Sequence, residues 1–220
     1  MRTRFFLLAL CLAALAAVWV LVTRARRAGA SSGGRGRRAA PPSPDRVAIR
    51  TIALAAACAR AHLEVAVSQE RGVEREQADH YRLEILAWLR RERLTEHLSE
   101  REQTWLETPV GELAETATQD ASWSADALAV LLWAQDLLPA PPARPGEVKT
   151  GDLMDKVPPV GAEIAPFVAA ARVRHSGEIE AALSSARRLA ARHPAAAWER
   201  VRALEWLAGI APEWDAASAA

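Results

Sequence analysis

An all-α domain behind a single apolar N-terminal segment is the fold class that this 220-residue sequence predicts. Three observations predict it. From about residue 45 onward, apolar residues recur at spacings of three and four, the period of a helix with one buried face. The strict alternation that marks a half-buried strand is almost absent. Helix-boundary signals separate the periodic stretches: Ser99 with Glu102, Pro194 at a helix start and Gly209 at a helix end. Half of the residues are hydrophobic, enough for one membrane segment and one domain with a sizeable core.

Residues 1–28 read as a transmembrane anchor with basic flanks. The membrane helix falls at about 5–22, Phe5 to Val22, where 18 residues carry no charge. As a helix these would span about 27 Å, close to the hydrocarbon thickness of a bilayer. The alternative is a cleaved signal peptide and a secreted domain. The length of the apolar run argues against it, as do Arg24, Arg26 and Arg27 at the place where cleavage would occur. Two arginines precede the run and six follow it before residue 39, so the positive-inside rule puts the soluble domain in the cytoplasm, on a single-pass protein of the inner membrane. Residues 29–44 are rich in Gly, Ser, Arg and Pro and read as a disordered linker whose arginines can touch anionic headgroups.

Residues 45–220 make the helical domain. Asp45 is placed to cap a first helix carrying Ile49, Ile52, Ala56, Ala59, Leu63 and Val67 on one face. After Gly72 a second helix shows Ala78, Tyr81, Ile85, Trp88 and Leu89 on one side. Ser99 and Glu102 form a capping box for a short helix with Trp105 and Leu106, ended by Pro109. Trp123 to Leu138 is apolar nearly all round, as expected of a central helix, and the prolines from Pro139 to Pro145 open an irregular stretch to about Gly161. Ser176 is placed to cap a helix to about Arg192. Pro194 then starts the last helix, on which Trp198, Val201, Leu204 and Ala208 form the stripe expected to face the core. Glu199, Arg202 and Glu205 are spaced for weak surface pairs, Arg200 can reach an acid on another helix, and Pro212 lets Trp214 fold back.

Charge and motifs narrow the function. The net charge of +1 divides into +8 over residues 1–44 and −7 over the rest, so the basic part belongs to the membrane end. A mildly acidic body excludes the basic face of a nucleic-acid binder. Only Cys58 lies in the soluble part, which removes any disulfide scaffold, and it reads as a small core residue. One Cys and five scattered His offer no metal-ligand spacing, and no nucleotide, zincin or hydrolase motif appears, so no cofactor is expected. His62 and Glu64 lack the cysteine pair of a deaminase, and His175 with Glu178 is explained by helix capping.

Two stretches resemble a known family. Ser122 to Ala134 (SWSADALAVLLWA) is similar to the motif sW-x-x-E-A-L-x-V-L-L-W-A-L-G, and Trp198 to Asp215 (WERVRALEWLAG, then EWD) to y-E-R-H-x-A-L-N-W-L-x-G followed by W-D. Both motifs belong to domain-of-unknown-function family 4272, helical proteins of bacteria, and the likeness runs from about residue 46 to 215. The resemblance implies a fold and no activity. Asp126 stands where the family has Glu, Gln135 and Asp136 replace Leu-Gly, Val201 replaces His and Glu205 replaces Asn. The bland run Ala181 to Arg192 stands in place of an Arg-His-Trp stretch, and Ala216 to Ala220 in place of a polar tail. These losses of polar groups point away from an enzyme.

The best candidates for a binding site are Asp126, Glu199, Arg200 and Asp215, set among Trp123, Trp133, Trp206 and Trp214. The first expectation is a membrane-tethered, non-catalytic module that binds a protein partner through an aromatic surface, with acid–arginine bridges pinning the last helix to the central one. The alternative is a small-molecule binder or enzyme in which Asp126, Glu199 and Arg200 line an open cleft with a shifted carboxylate. A toxin-immunity protein is the second alternative.

Overall fold

The computed structural model describes residues 39–69, 73–140, 144–146, 148–191 and 194–214, without the side chains of 194–196. The apolar run at 5–22, most of the 29–44 linker and Asp215 lie outside the described residues. Among the described residues there are eight α-helices, one 3-10 turn and no strand. The helices are α1 (Pro44–Ser68), α2 (Arg75–Arg91), α3 (Glu100–Glu107), α4 (Glu115–Ala134), α5 (Thr150–Met154), α6 (Ala165–Ala169), α7 (Ser176–Ala190) and α8 (Pro194–Leu207), with the 3-10 turn at Thr95–His97.

The helices stack in the order α1, α4, α8, α7, while α2, α3, α5 and α6 pack around α1. Alanines explain how closely α1 can be surrounded: Ala53, Ala55, Ala56, Ala57 and Ala61 are all buried. By length and composition α1 could cross a membrane, yet 67% of its most apolar window is buried inside the domain. It also buries Arg50, Arg60 and Glu64, so within this fold it is the core helix. The main core joins Leu54 of α1 to Leu128, Leu131 and Leu132 of α4, Val201 and Leu204 of α8, and Ile179 and Leu183 of α7. At about 1.5–3 kcal/mol for each fully buried side chain of this kind, burial dominates the fold's stability.

Several boundaries differ from the sequence reading, each for a local reason. Ser43, not Asp45, caps α1, its hydroxyl accepting from the Arg46 N–H at 3.3 Å. Pro44 suits the first helical position, so the helix starts two residues earlier. The capping box of Ser99 and Glu102 is present at α3. The central helix α4 begins at Glu115, eight residues before Trp123, and stops at Ala134 before any proline. It stops there because Asp136 takes a left-handed conformation, φ 62°, which turns the chain out of the helix. His175 rather than Ser176 caps α7, its Nδ1 accepting from the Gly177 N–H at 3.1 Å. Two short helices, α5 and α6, occur in and just beyond the stretch read as irregular.

Two faces are turned from their expected directions. On α2 Ala78, Ile85, Trp88 and Leu89 are buried as their spacing predicts, but Tyr81 is 40% exposed. The inward place goes to Arg82, which donates to the carbonyls of Leu106 and Glu107 at the end of α3. On α8 Trp198 is 40% exposed, while Trp206 and Arg202 are buried. Gly209 ends α8 at φ +67°, and a Cβ there would come within 2.3 Å of the Ala39 carbonyl oxygen. The end of the stretch read as linker therefore lies against the end of the last helix.

Asp79 accepts from Arg82 Nε at 2.6 Å and from the Val110 N–H at 2.8 Å, and chiefly the Arg82 hydrogen bond lowers its carboxyl to about 2. A carboxyl depressed in the folded state contributes stability that is present above its unfolded value and lost as pH falls through the folded one. Asp79→Asn is therefore expected to cost about 1–2 kcal/mol at pH 7, a difference that closes as the pH falls from 4 to 2. Urea unfolding of both proteins across that range measures it.

Candidate functional site

Five helices, α1, α2, α3, α4 and α8, carry arginines or acids into the core, where they pair. Arg50, nearly two turns into α1, forks onto Glu102 of α3, with Nη1 to Oε2 at 2.8 Å and Nη2 to Oε1. Nη1 also donates to the His97 carbonyl at 2.8 Å. Glu102 in turn accepts from the Ser99 N–H at 2.9 Å, so one carboxylate closes a helix cap and neutralises a buried cation. Burial alone would push Glu102 upward. The Arg50 charge and its hydrogen bonds, with the Ser99 N–H, override this and hold the carboxyl below its usual range.

On α8, Glu199 and Arg202 are three residues apart and pair with each other, and Arg101 reaches Glu199 at 3.4 Å. The sequence reading placed this pair on the surface. Arg202 is instead 1% exposed, because Trp206 and Trp214 close over that face of the helix. Trp206 and Trp214 meet edge to face with centroids 5.4 Å apart. The guanidinium carbons of Arg50 and Arg202 lie 4.1 and 4.5 Å from the Trp214 ring centre, each a favourable cation–π contact. The Trp214 indole nitrogen is buried without a hydrogen-bond partner. Pro212 does turn the chain so that Trp214 folds back, as the sequence suggested.

Arg200 points the other way, a consequence of the 100° step per helical residue. Its Nε donates to Asp126 Oδ1 of α4 at 2.7 Å and its Nη2 to the Arg144 carbonyl at 2.5 Å. Asp126 Oδ2 accepts from the Gly146 N–H at 2.9 Å. Burial pushes the Asp126 carboxyl above its ordinary value, against the pull of Gly146 and Arg200. The bridge from α8 to the central helix that the sequence suggested is therefore present.

The candidate residues thus separate into two groups. Asp126 and Arg200 form one, and Glu199, Trp206 and Trp214 stand in the other, with Arg50, Glu102 and Arg202. Trp133 lies apart on α4, buried, under the guanidinium of Arg174 at 5.2 Å, whose Nε donates to the Trp133 carbonyl. Trp123 is half-buried near the start of that helix. Asp126, Glu199 and Arg200 are 1%, 7% and 4% exposed, packed shut rather than lining an opening. Between the groups lies Cys58, whose thiol is pushed well above its ordinary value by burial, helped by the carboxylates of Glu102, Glu199 and Asp126. Such a thiol is inert. In a Cys11→Ser protein, iodoacetamide is expected to leave Cys58 unmodified in the native state and to label it fully in guanidinium, read by intact mass.

Sequence reasoning missed Arg50 and the second role of Glu102, and also Arg60, which pairs with Glu64 at 2.7 Å and donates to the carbonyls of Thr108 and Pro109. The available signal was two arginines set in the otherwise apolar run from 47 to 61. What the buried pairs leave accessible is a cleft of about 150 Å³ beside Trp206 and Trp214. Arg46 and Arg50 line it from α1, His97 and Ser99 from the segment that leads into α3, and Glu213 from the C-terminal side. Arg46 and Glu213 form an exposed pair at 2.6 Å across its rim. Among the described residues no group of three His, Cys, Asp or Glu side chains could hold a metal ion.

A helical stack closed by buried arginine–carboxylate pairs, with a tryptophan pair at one end, defines the class of protein. The chain belongs to the family described as Domain of unknown function (DUF4272), whose model matches residues 36–217. No curated protein and no solved structure matches it.

Proposed function

We propose that the domain is a non-catalytic binding module, held at a membrane by the apolar run at 5–22, that docks a protein partner at the cleft beside Trp206 and Trp214. One observation carries the reading: the ionisable side chains that converge in the core are matched to one another and packed shut. They lend no support to acid–base work by Asp126 or Glu199, which would need access to a substrate. The cleft, by contrast, combines tryptophan and arginine, the residue types that dominate binding hot spots, behind an exposed charged rim. It also adjoins the start of α1, where the chain arrives from the membrane side.

The test is affinity capture of the tagged full-length protein from gently solubilised native membranes, beside an Arg46→Glu variant. Arg46 is exposed, so its reversal leaves the core pairs intact, whereas Trp214→Ala and Glu199→Ala would disturb the fold itself. A stoichiometric partner held by the wild type and lost from Arg46→Glu, with unchanged helicity, is the expected result. Partner sets that do not differ between the two proteins, or none at all, overturn the docking site. Recovery of the chain in the soluble fraction after carbonate extraction overturns the anchor.

A further inference from the structure

A second opening, sharing no residue with the tryptophan cleft, lies between α1, α2 and the stretch from Thr150 to Val160. Its volume is about 340 Å³. The floor is Ile52, Ala55, Ala56 and Trp88, all buried. Alanines keep it open: at 55, 56 and 59 the side chains stop at Cβ. The wall around Pro158 and Pro159 is fixed rather than free to collapse. Just beyond it, Trp88 Nε1 donates to the Ala162 carbonyl at 2.8 Å, and Arg91 Nη2 to the Gly161 carbonyl at 2.8 Å. The Trp88 bond also uses up the one polar atom that the floor could offer, so the interior is apolar.

The mouth differs. His62, Tyr81 and Asp155 are all exposed there, and no lysine or arginine lines the cavity. Asp155 therefore brings the one full charge of fixed sign, a negative one. Apolar interior, polar rim and a volume of this order are the ordinary features of a small-molecule site. A dry protein cavity of about 150 Å³ accommodates benzene, so this one has room for a body about twice that size.

We infer that this cavity binds a small amine with an apolar body the size of a fused two-ring system, the body against Trp88 and the alanines and the ammonium at Asp155. The site is independent of the docking cleft, and either can fail without the other. The full-length protein in phosphatidylcholine nanodiscs is titrated with 2-naphthylmethylamine and with 2-naphthoate, empty nanodiscs serving as the blank. Saturable one-to-one binding of the amine is expected, roughly tenfold or more tighter than the carboxylate, a difference that Asp155→Asn removes. Ala59→Trp fills the cavity and abolishes binding. Gly151→Leu is the second variant, at a lining position where a Cβ meets nothing within 4 Å. The inference is overturned by amine binding no greater than the blank, by equal binding of both probes, or by wild-type binding in a folded filling variant.

Discussion

Glu102→Ala is expected to destabilise the domain by about 3–5 kcal/mol, because it leaves the Arg50 guanidinium buried without its carboxylate. Two further losses come with it. The Ser99 N–H loses its acceptor, and the capping box at α3 is broken. For a domain of this size the midpoint of thermal unfolding should fall by roughly 6–20 °C. Circular dichroism melting measures this directly. Glu102→Gln separates the two roles: the amide oxygen can still accept from Ser99, so the cap survives while the charge does not. A loss for Glu102→Gln as large as that for Glu102→Ala would assign the whole effect to the ion pair. Equal stability of Glu102→Ala and wild type would show that Arg50 finds water or another acceptor.

Arg200→Met is the second large effect, again about 3–5 kcal/mol, since Asp126 is left buried with the Gly146 N–H and no cation. Replacing both partners is a different matter. Asp126→Leu with Arg200→Met removes the stranded charge, and the double variant should recover most of the loss, with a coupling energy of roughly 2–3 kcal/mol. The pH dependence has a definite sign. Burial already raises the Asp126 carboxyl, and removing Arg200 raises it further. A carboxyl raised in the folded state is best tolerated below its unfolded value and costs stability as pH rises through the folded one. The deficit of Arg200→Met should therefore shrink between pH 7 and pH 4, measured by urea unfolding, and the double variant should show no such recovery.

The sequence carried the helices more fully than their contents. The periodic runs gave α1, α2, α4, α7 and α8, because a buried helical face must repeat at three and four whatever it packs against. Caps were harder, since the choice of Ser43 over Asp45 depends on a proline that admits two more residues. The bridge from Arg200 to Asp126 was legible because Arg200 sits at the edge of an apolar arc. The burial of Arg202 was not. Nothing on α8 alone says that Trp206 and Trp214 will cover it, for that depends on where the chain goes after Pro212. Arg50 was hidden for the complementary reason: its partner stands 52 residues away, on a helix whose glutamate was already explained by capping.

The approach of Ala39 to Gly209 brings together residues made at opposite ends of the domain's synthesis. α4 cannot be covered on its far side until α8 exists, and the Ala39 carbonyl has no seat until Gly209 has been added. At about 5–20 residues per second, the ribosome takes on the order of ten seconds to make the intervening chain. During that interval the face of α4 that α8 will cover has no lasting partner and is open to chaperones and to other apolar surfaces. The order of events is set by topology: the residues of the domain that are made first find their seat only when the last helix is in place.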